Sequence, residues 1–125
     1  MIAQKGEKMF KKLLKLLAPL TLCLALLVSV SARKPAPYTD YSSATKTWNS
    51  AYATLTTHAE VCDGYYATYE GGYWTKSLPL NYSASTGGIT HITTSNGIKC
   101  QSTVKFTFGA TSSTNFIVNT YHYYK

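Results

Sequence analysis

Beyond position 32, few residues could do acid–base, metal or nucleophilic chemistry: His58, His91 and His122, the carboxylates Asp40, Glu60, Asp63 and Glu70, and the thiols Cys62 and Cys100. Glycoside hydrolysis needs two carboxyl groups facing each other across a cleft, and Glu60 with Glu70 is the one pair of glutamates available for it. Strand and turn positions in contact with solvent account for these acids better. A zinc centre needs ligands that converge tetrahedrally, yet no His-x-His or His-x-x-x-His spacing brings two histidines together. There is no Gly-x-Ser-x-Gly elbow and no glycine-rich phosphate loop. The chemistry therefore predicts a protein that is not an enzyme and carries neither metal nor cofactor.

Tyrosine is the residue that stands out. All eleven lie after residue 37, gathered at Tyr65, Tyr66, Tyr69, Tyr73 and Tyr82 and again at Tyr121, Tyr123 and Tyr124. Aromatic side chains favour strands and fill thin cores, so packing explains many of them. The functional expectation is a strip of Tyr66, Tyr73, Trp74 and Lys76 on an exposed hairpin. Such a strip stacks on sugar rings or settles at a membrane interface, because each ring joins an apolar body to a polar tip.

The elements that must hold these residues read as strands. Between Ser50 and Cys62 the residues Ala51, Ala53, Leu55, Ala59 and Val61 alternate with Tyr52, Thr54, Thr56, His58 and Glu60, the period of a half-buried strand. Asp63-Gly64 is a turn pair leading into Tyr65 to Glu70. Gly71-Gly72 then predicts a tight hairpin in which Glu70 faces Tyr73, Tyr69 faces Trp74 and Tyr66 faces Ser77. Pro79 marks a bend or edge before Leu80 to Ala84, and Thr86-Gly87-Gly88 turns the chain. Asn96-Gly97, between Ile89 to Ser95 and Ile98 to Phe108, is the strongest hairpin signal, with Thr93 expected opposite Cys100. In that register Ile98, Cys100, Val104, Phe106 and Phe108 share the core face. A polar loop from Gly109 to Asn115 precedes a last strand, with Phe116 and Val118 on one side and Ile117 and Tyr121 on the other. Six or seven short strands joined by polar turns predict an all-β fold, a small antiparallel β-sandwich or, as the alternative, a small barrel.

The N-terminal end has a different character. Lys5, Lys8, Lys11, Lys12 and Lys15 precede an uncharged run from Leu16 to Val30, and Val30 and Ala32 stand where a signal peptidase reads small residues. That run is 15 residues long, short of the roughly 20 that span a bilayer. Residues 1–32 are therefore expected to be a helical secretory signal peptide, 33–47 a flexible extended leader rich in proline and charge, and 48–125 one β domain. Met9 opens an equally good signal, and Leu22 before Cys23 is too bulky for a lipid-attachment motif. In an exported chain Cys62 and Cys100 are expected to form a disulfide. Closing that loop would contribute about 4 kcal/mol in the chain-entropy model.

Most of the formal charge of +7 belongs to the leading segment. After residue 32, Arg33, Lys34 and five lysines against four acids leave +3. No basic run longer than Arg33-Lys34 follows, so nucleic acid is not an expected partner. Together these features point to a secreted, extracellular, noncatalytic domain that binds a cell-envelope carbohydrate, a membrane surface or an extracellular protein through an aromatic surface. The alternative is a secreted bacteriocin or toxin-like antimicrobial protein. The C-terminal Tyr121-His122-Tyr123-Tyr124-Lys125 resembles in character the small secreted sandwich bacteriocins of the lactococcin type.

Overall fold

A computed structural model describes residues 33–125, and the signal-peptide assignment lies outside them. Pro35 to Lys125 form one compact unit. Eight strands follow in order: β1 (Tyr38–Trp48), β2 (Ala51–Cys62), β3 (Tyr66–Ser77), β4 (Tyr82–Thr86), β5 (Thr90–Thr94), β6 (Gly97–Phe108), β7 (Thr111–Ser112) and β8 (Phe116–Tyr123). All pairings are antiparallel. The first sheet runs β1-β2-β3; in the second, β6 is flanked by β4 and β5 along one edge and pairs with β7 and β8 along the other. The fold is the antiparallel sandwich and not a closed barrel.

The two central strands, β2 and β6, carry the alternation that makes the core. Ala51, Ala53, Leu55, Ala59 and Val61 from β2 meet Ile98, Cys100, Val104 and Phe106 from β6, with Val118 from β8, and all are buried. Small residues on β2 leave room for Phe106 and for Trp48, whose ring lies nearly parallel to it at 6.3 Å. A polar belt crosses this core. Thr57, Ser102, Thr120 and His122 are as buried as their apolar neighbours and divide them into two clusters, which Ile89 touches from both sides.

The leader is shorter than its composition suggests. Only 33–37 stays outside a strand, because β1 pairs with β2 along its whole length from Tyr38↔Val61 to Trp48↔Ala51. Its sequence has little apolar character, since an edge strand buries one side only; Ala44 and Trp48 supply that side. Asn49, at φ 54°, takes the left-handed conformation in the two-residue turn to β2, one that Asn tolerates better than most residues.

The expected glycine turns are displaced, for one physical reason. Gly71 and Gly72 lie inside β3, opposite His58 and Thr57. A Cβ on Gly72 would meet Ile89 Cδ1 and the Thr56 carbonyl at 2.8 Å, and one on Gly71 would meet His58 Nε2 at 3.0 Å. Close approach, not turning, requires these glycines. Glu70 is the extra residue of a β-bulge opposite His58/Ala59. A bulge of one residue reverses side-chain parity, so both Tyr69 and Trp74 face inward although they are five positions apart.

Gly97 repeats the lesson. The hairpin turns at Ser95-Asn96, with Thr94↔Gly97 and His91↔Cys100, so Thr93 stands opposite Ile98 rather than Cys100. A Cβ at Gly97 would collide with the His122 carbonyl of β8. The inward set of β6 is otherwise as expected, except that Phe108 runs past the core, is exposed, and rests on Tyr82 at 4.6 Å. The last strand divides as expected, Val118 buried and Ile117 exposed.

Cys62 and Cys100 do not form the expected disulfide; both are free and buried. Val61 faces the core, so strand alternation turns Cys62 to the opposite face of its sheet, where its thiol donates to the Pro35 carbonyl at 3.2 Å. Cys100 faces inward from β6 among Ala59, Val61 and Ile98. The two thiols lie on opposite sides of the first sheet.

Candidate functional site

Two constellations rise above ordinary packing: a buried hydrogen-bond chain and an exposed aromatic face. In the first, Asp40 Oδ2 lies 2.7 Å from His122 Nδ1, His122 Nε2 lies 2.8 Å from Thr57 Oγ1, and Thr57 Oγ1 lies 2.5 Å from Thr120 Oγ1. A carboxylate only accepts, so Nδ1 carries a proton toward Asp40. With a neutral imidazole, Nε2 accepts from Thr57, whose oxygen accepts from Thr120. The connectivity is that of a catalytic acid–histidine–hydroxyl triad. Its surroundings are not, because Thr57 and His122 are fully buried and Thr120 nearly so, leaving no path for a substrate to the hydroxyl. What the chain does is join β1, β2 and β8, tying the two sheets together along one edge. Ser42 extends this seam by accepting from the Tyr121 amide, and Lys46 lies 4.6 Å over the Phe116 ring.

The opposite edge is closed by different means. Tyr69 stacks on His91 at 4.5 Å, Trp74 Nε1 donates to Ser102 Oγ at 3.1 Å, and Ser102 donates to the Gly87 carbonyl. Lys76 Nζ donates to the Ala84 carbonyl. No buried side-chain polar atom among the described residues lacks a partner.

These contacts split the expected strip. Trp74 and Lys76 lie on the inward side of β3, tied to the second sheet. Tyr66 and Tyr73 project from the outer side. Tyr66 donates to Glu60 Oε1 at 3.2 Å, and burial, followed by that bond, raises its phenol above the ordinary tyrosine range. Tyr73 is 53% exposed. It is joined on the outer face of the first sheet by two tyrosines not singled out from sequence, Tyr41 (67%) on β1 and Tyr52 (47%) on β2.

The register places these three rings on one surface. Tyr73 is opposite Thr56, and Tyr41 is opposite His58, the next outward residue of β2. With strands ~4.8 Å apart and ~3.4 Å per residue, Tyr41 and Tyr73 stand roughly 12 Å apart. Tyr52 lies roughly 14 Å from Tyr73 on the same geometry. Between them run hydroxyls paired across strands, Ser43 with Thr56 and Thr45 with Thr54, both at 2.8 Å. Tyr41 also leans on His58, ring centres 5.8 Å apart. The alternation of Tyr41, Ser43, Thr45 and Thr47 with Ser42, Ala44, Lys46 and Trp48 was the signal that could have placed β1, and Tyr41 with it.

The remaining candidates stand apart. His58 is on the outer face with Nδ1 3.7 Å from Glu70 Oε2, His91 is at the β3/β5 edge and His122 is in the core. Glu60 and Glu70 lie on a sheet surface and a bulge rather than across a cleft. No protein family, no curated protein and no solved structure matches the chain.

Proposed function

We propose that this chain is a secreted, noncatalytic binding domain that recognises a cell-envelope carbohydrate through the outer face of its first sheet. The observation that carries the reading is the placement of Tyr41, Tyr52 and Tyr73 on one surface, spaced by cross-strand hydroxyl pairs. Aromatic faces take the apolar side of a sugar ring, while hydroxyls that both donate and accept match its edge. A sheet holds them rigidly, so little ordering entropy is lost on binding. The lysine-rich, apolar segment before residue 32 supports export, and the scarcity of acids and separated histidines supports binding over catalysis.

Cosedimentation of the Arg33–Lys125 chain with isolated bacterial cell wall tests this. Wild type should be depleted from the supernatant, and Tyr41→Ser with Tyr73→Ser should weaken retention at least tenfold while leaving the melting curve in place. Equal retention of the double variant would overturn the reading. The antimicrobial alternative draws on the basic, aromatic C-terminal end, and it predicts loss of viability in target cells, which a binder leaves alive.

A further inference from the structure

The outer face of the second sheet has a composition of its own. From Gly71 to Lys125 there are four lysines and no Asp or Glu, whereas all four acids beyond residue 32 fall between Asp40 and Glu70. Strand register sets Ile92, Lys99 and Tyr121 side by side across β5, β6 and β8. Two residues further along β6, Gln101 and Asn119 are joined at 3.0 Å, followed by Thr103 beside Ile117 and then Lys105. Ile92 and Ile117 are 60% and 62% exposed. Tyr121 and Tyr123 stack in parallel at 6.0 Å on the same face.

We infer that this face docks on an anionic lipid membrane surface. Two properties converge on that occupant. Lysines without neighbouring acids are drawn to anionic headgroups, each contributing about a factor of five to affinity. Exposed isoleucines and tyrosines gain by entering the boundary between headgroups and acyl chains, where the aromatic rings keep their hydroxyls wet. A soluble polyanion would satisfy the lysines and leave the isoleucines in water, so the combination selects a bilayer. The face is separate from the tyrosine surface of the first sheet, and the inference does not depend on carbohydrate binding.

The test is sedimentation of the Arg33–Lys125 chain with vesicles of phosphatidylcholine alone or mixed with phosphatidylglycerol. Among the described residues, both core clusters lie within that segment. Binding should appear only with phosphatidylglycerol and fall with added salt. Lys99→Gln with Lys105→Gln should weaken it roughly thirtyfold, and Ile92→Ser with Ile117→Ser should weaken it at least several-fold. Both variants alter exposed side chains and should melt as wild type does. Tyr41→Ser with Tyr73→Ser should bind vesicles normally, which separates this face from the carbohydrate surface. Equal binding to both vesicle types, no vesicle binding, unchanged binding of the lysine variant, or capture by a soluble anionic polysaccharide without vesicle binding would each overturn the inference.

Discussion

Replacing Thr57 by Val tests the buried chain with little change of shape. The substitution keeps the branched side chain and deletes one hydroxyl, the atom that lies 2.8 Å from His122 Nε2 and 2.5 Å from Thr120 Oγ1. Both partners are buried, so neither finds water as a substitute. A buried polar group left without its partner costs about 1–3 kcal/mol. Two such groups, with some reorientation of the Thr120 hydroxyl, give an expected loss of about 2–4 kcal/mol. Against a total stability of roughly 5–14 kcal/mol for a domain this size, that is a large fraction, and it corresponds to a fall in Tm of roughly 10–25 °C. Thr120→Val removes only the end of the chain, leaves Thr57 free to donate to Nε2, and should cost about 1 kcal/mol. Because the double variant removes the hydroxyl orphaned by the first change, it should be less destabilised than the two singles together, by about 0.5–1 kcal/mol. Urea denaturation at neutral pH reads all three, with unchanged m-values as the check that only native stability has moved. A Thr57→Val loss below about 0.5 kcal/mol, or strict additivity, would refute the assignment of the belt as a coupled clamp between the sheets.

Two further expectations follow from the packing. The thiols of Cys62 and Cys100 should resist a thiol-reactive reagent in the native protein and both react after denaturation, and a reducing agent should leave Tm unchanged; a Tm that falls on reduction would contradict the separation of the two thiols by the first sheet. Gly97→Ala should destabilise by several kcal/mol, because its Cβ meets the backbone of β8 and backbone cannot step aside cheaply, whereas Gly88→Ala, with open space around its Cβ, should cost little; similar melting temperatures for the two variants would show that β8 does not press on Gly97.

Much of the fold was legible because the central strands declare themselves. Alternation from Ala51 to Val61 and from Ile98 to Phe106 identifies β2 and β6 and the side each turns inward, since a strand buried on one face must separate its residues with a period of two. Edge strands carry a weaker signal. β1 buries only part of one side and reads as polar linker, which conceals the place of Tyr41, although Tyr52 lies within the predicted first strand. The strip of Tyr66, Tyr73, Trp74 and Lys76 divides because neighbouring residues of a strand face opposite sides, so Trp74 and Lys76 turn inward where Tyr73 turns outward, and the bulged Glu70 puts Tyr66 on the side of Tyr73.

By itself, then, the sequence determined the class of fold, the two core-forming strands, the poverty of catalytic groups and the concentration of tyrosine, because composition and period act locally. The tertiary structure decided which glycines turn and which merely make room, which tyrosines share a surface, and that Asp40, Thr57, Thr120 and His122 meet. Those outcomes depend on contacts between residues as many as 82 positions apart, and nothing in local spacing encodes a register set by the packing of one sheet against another.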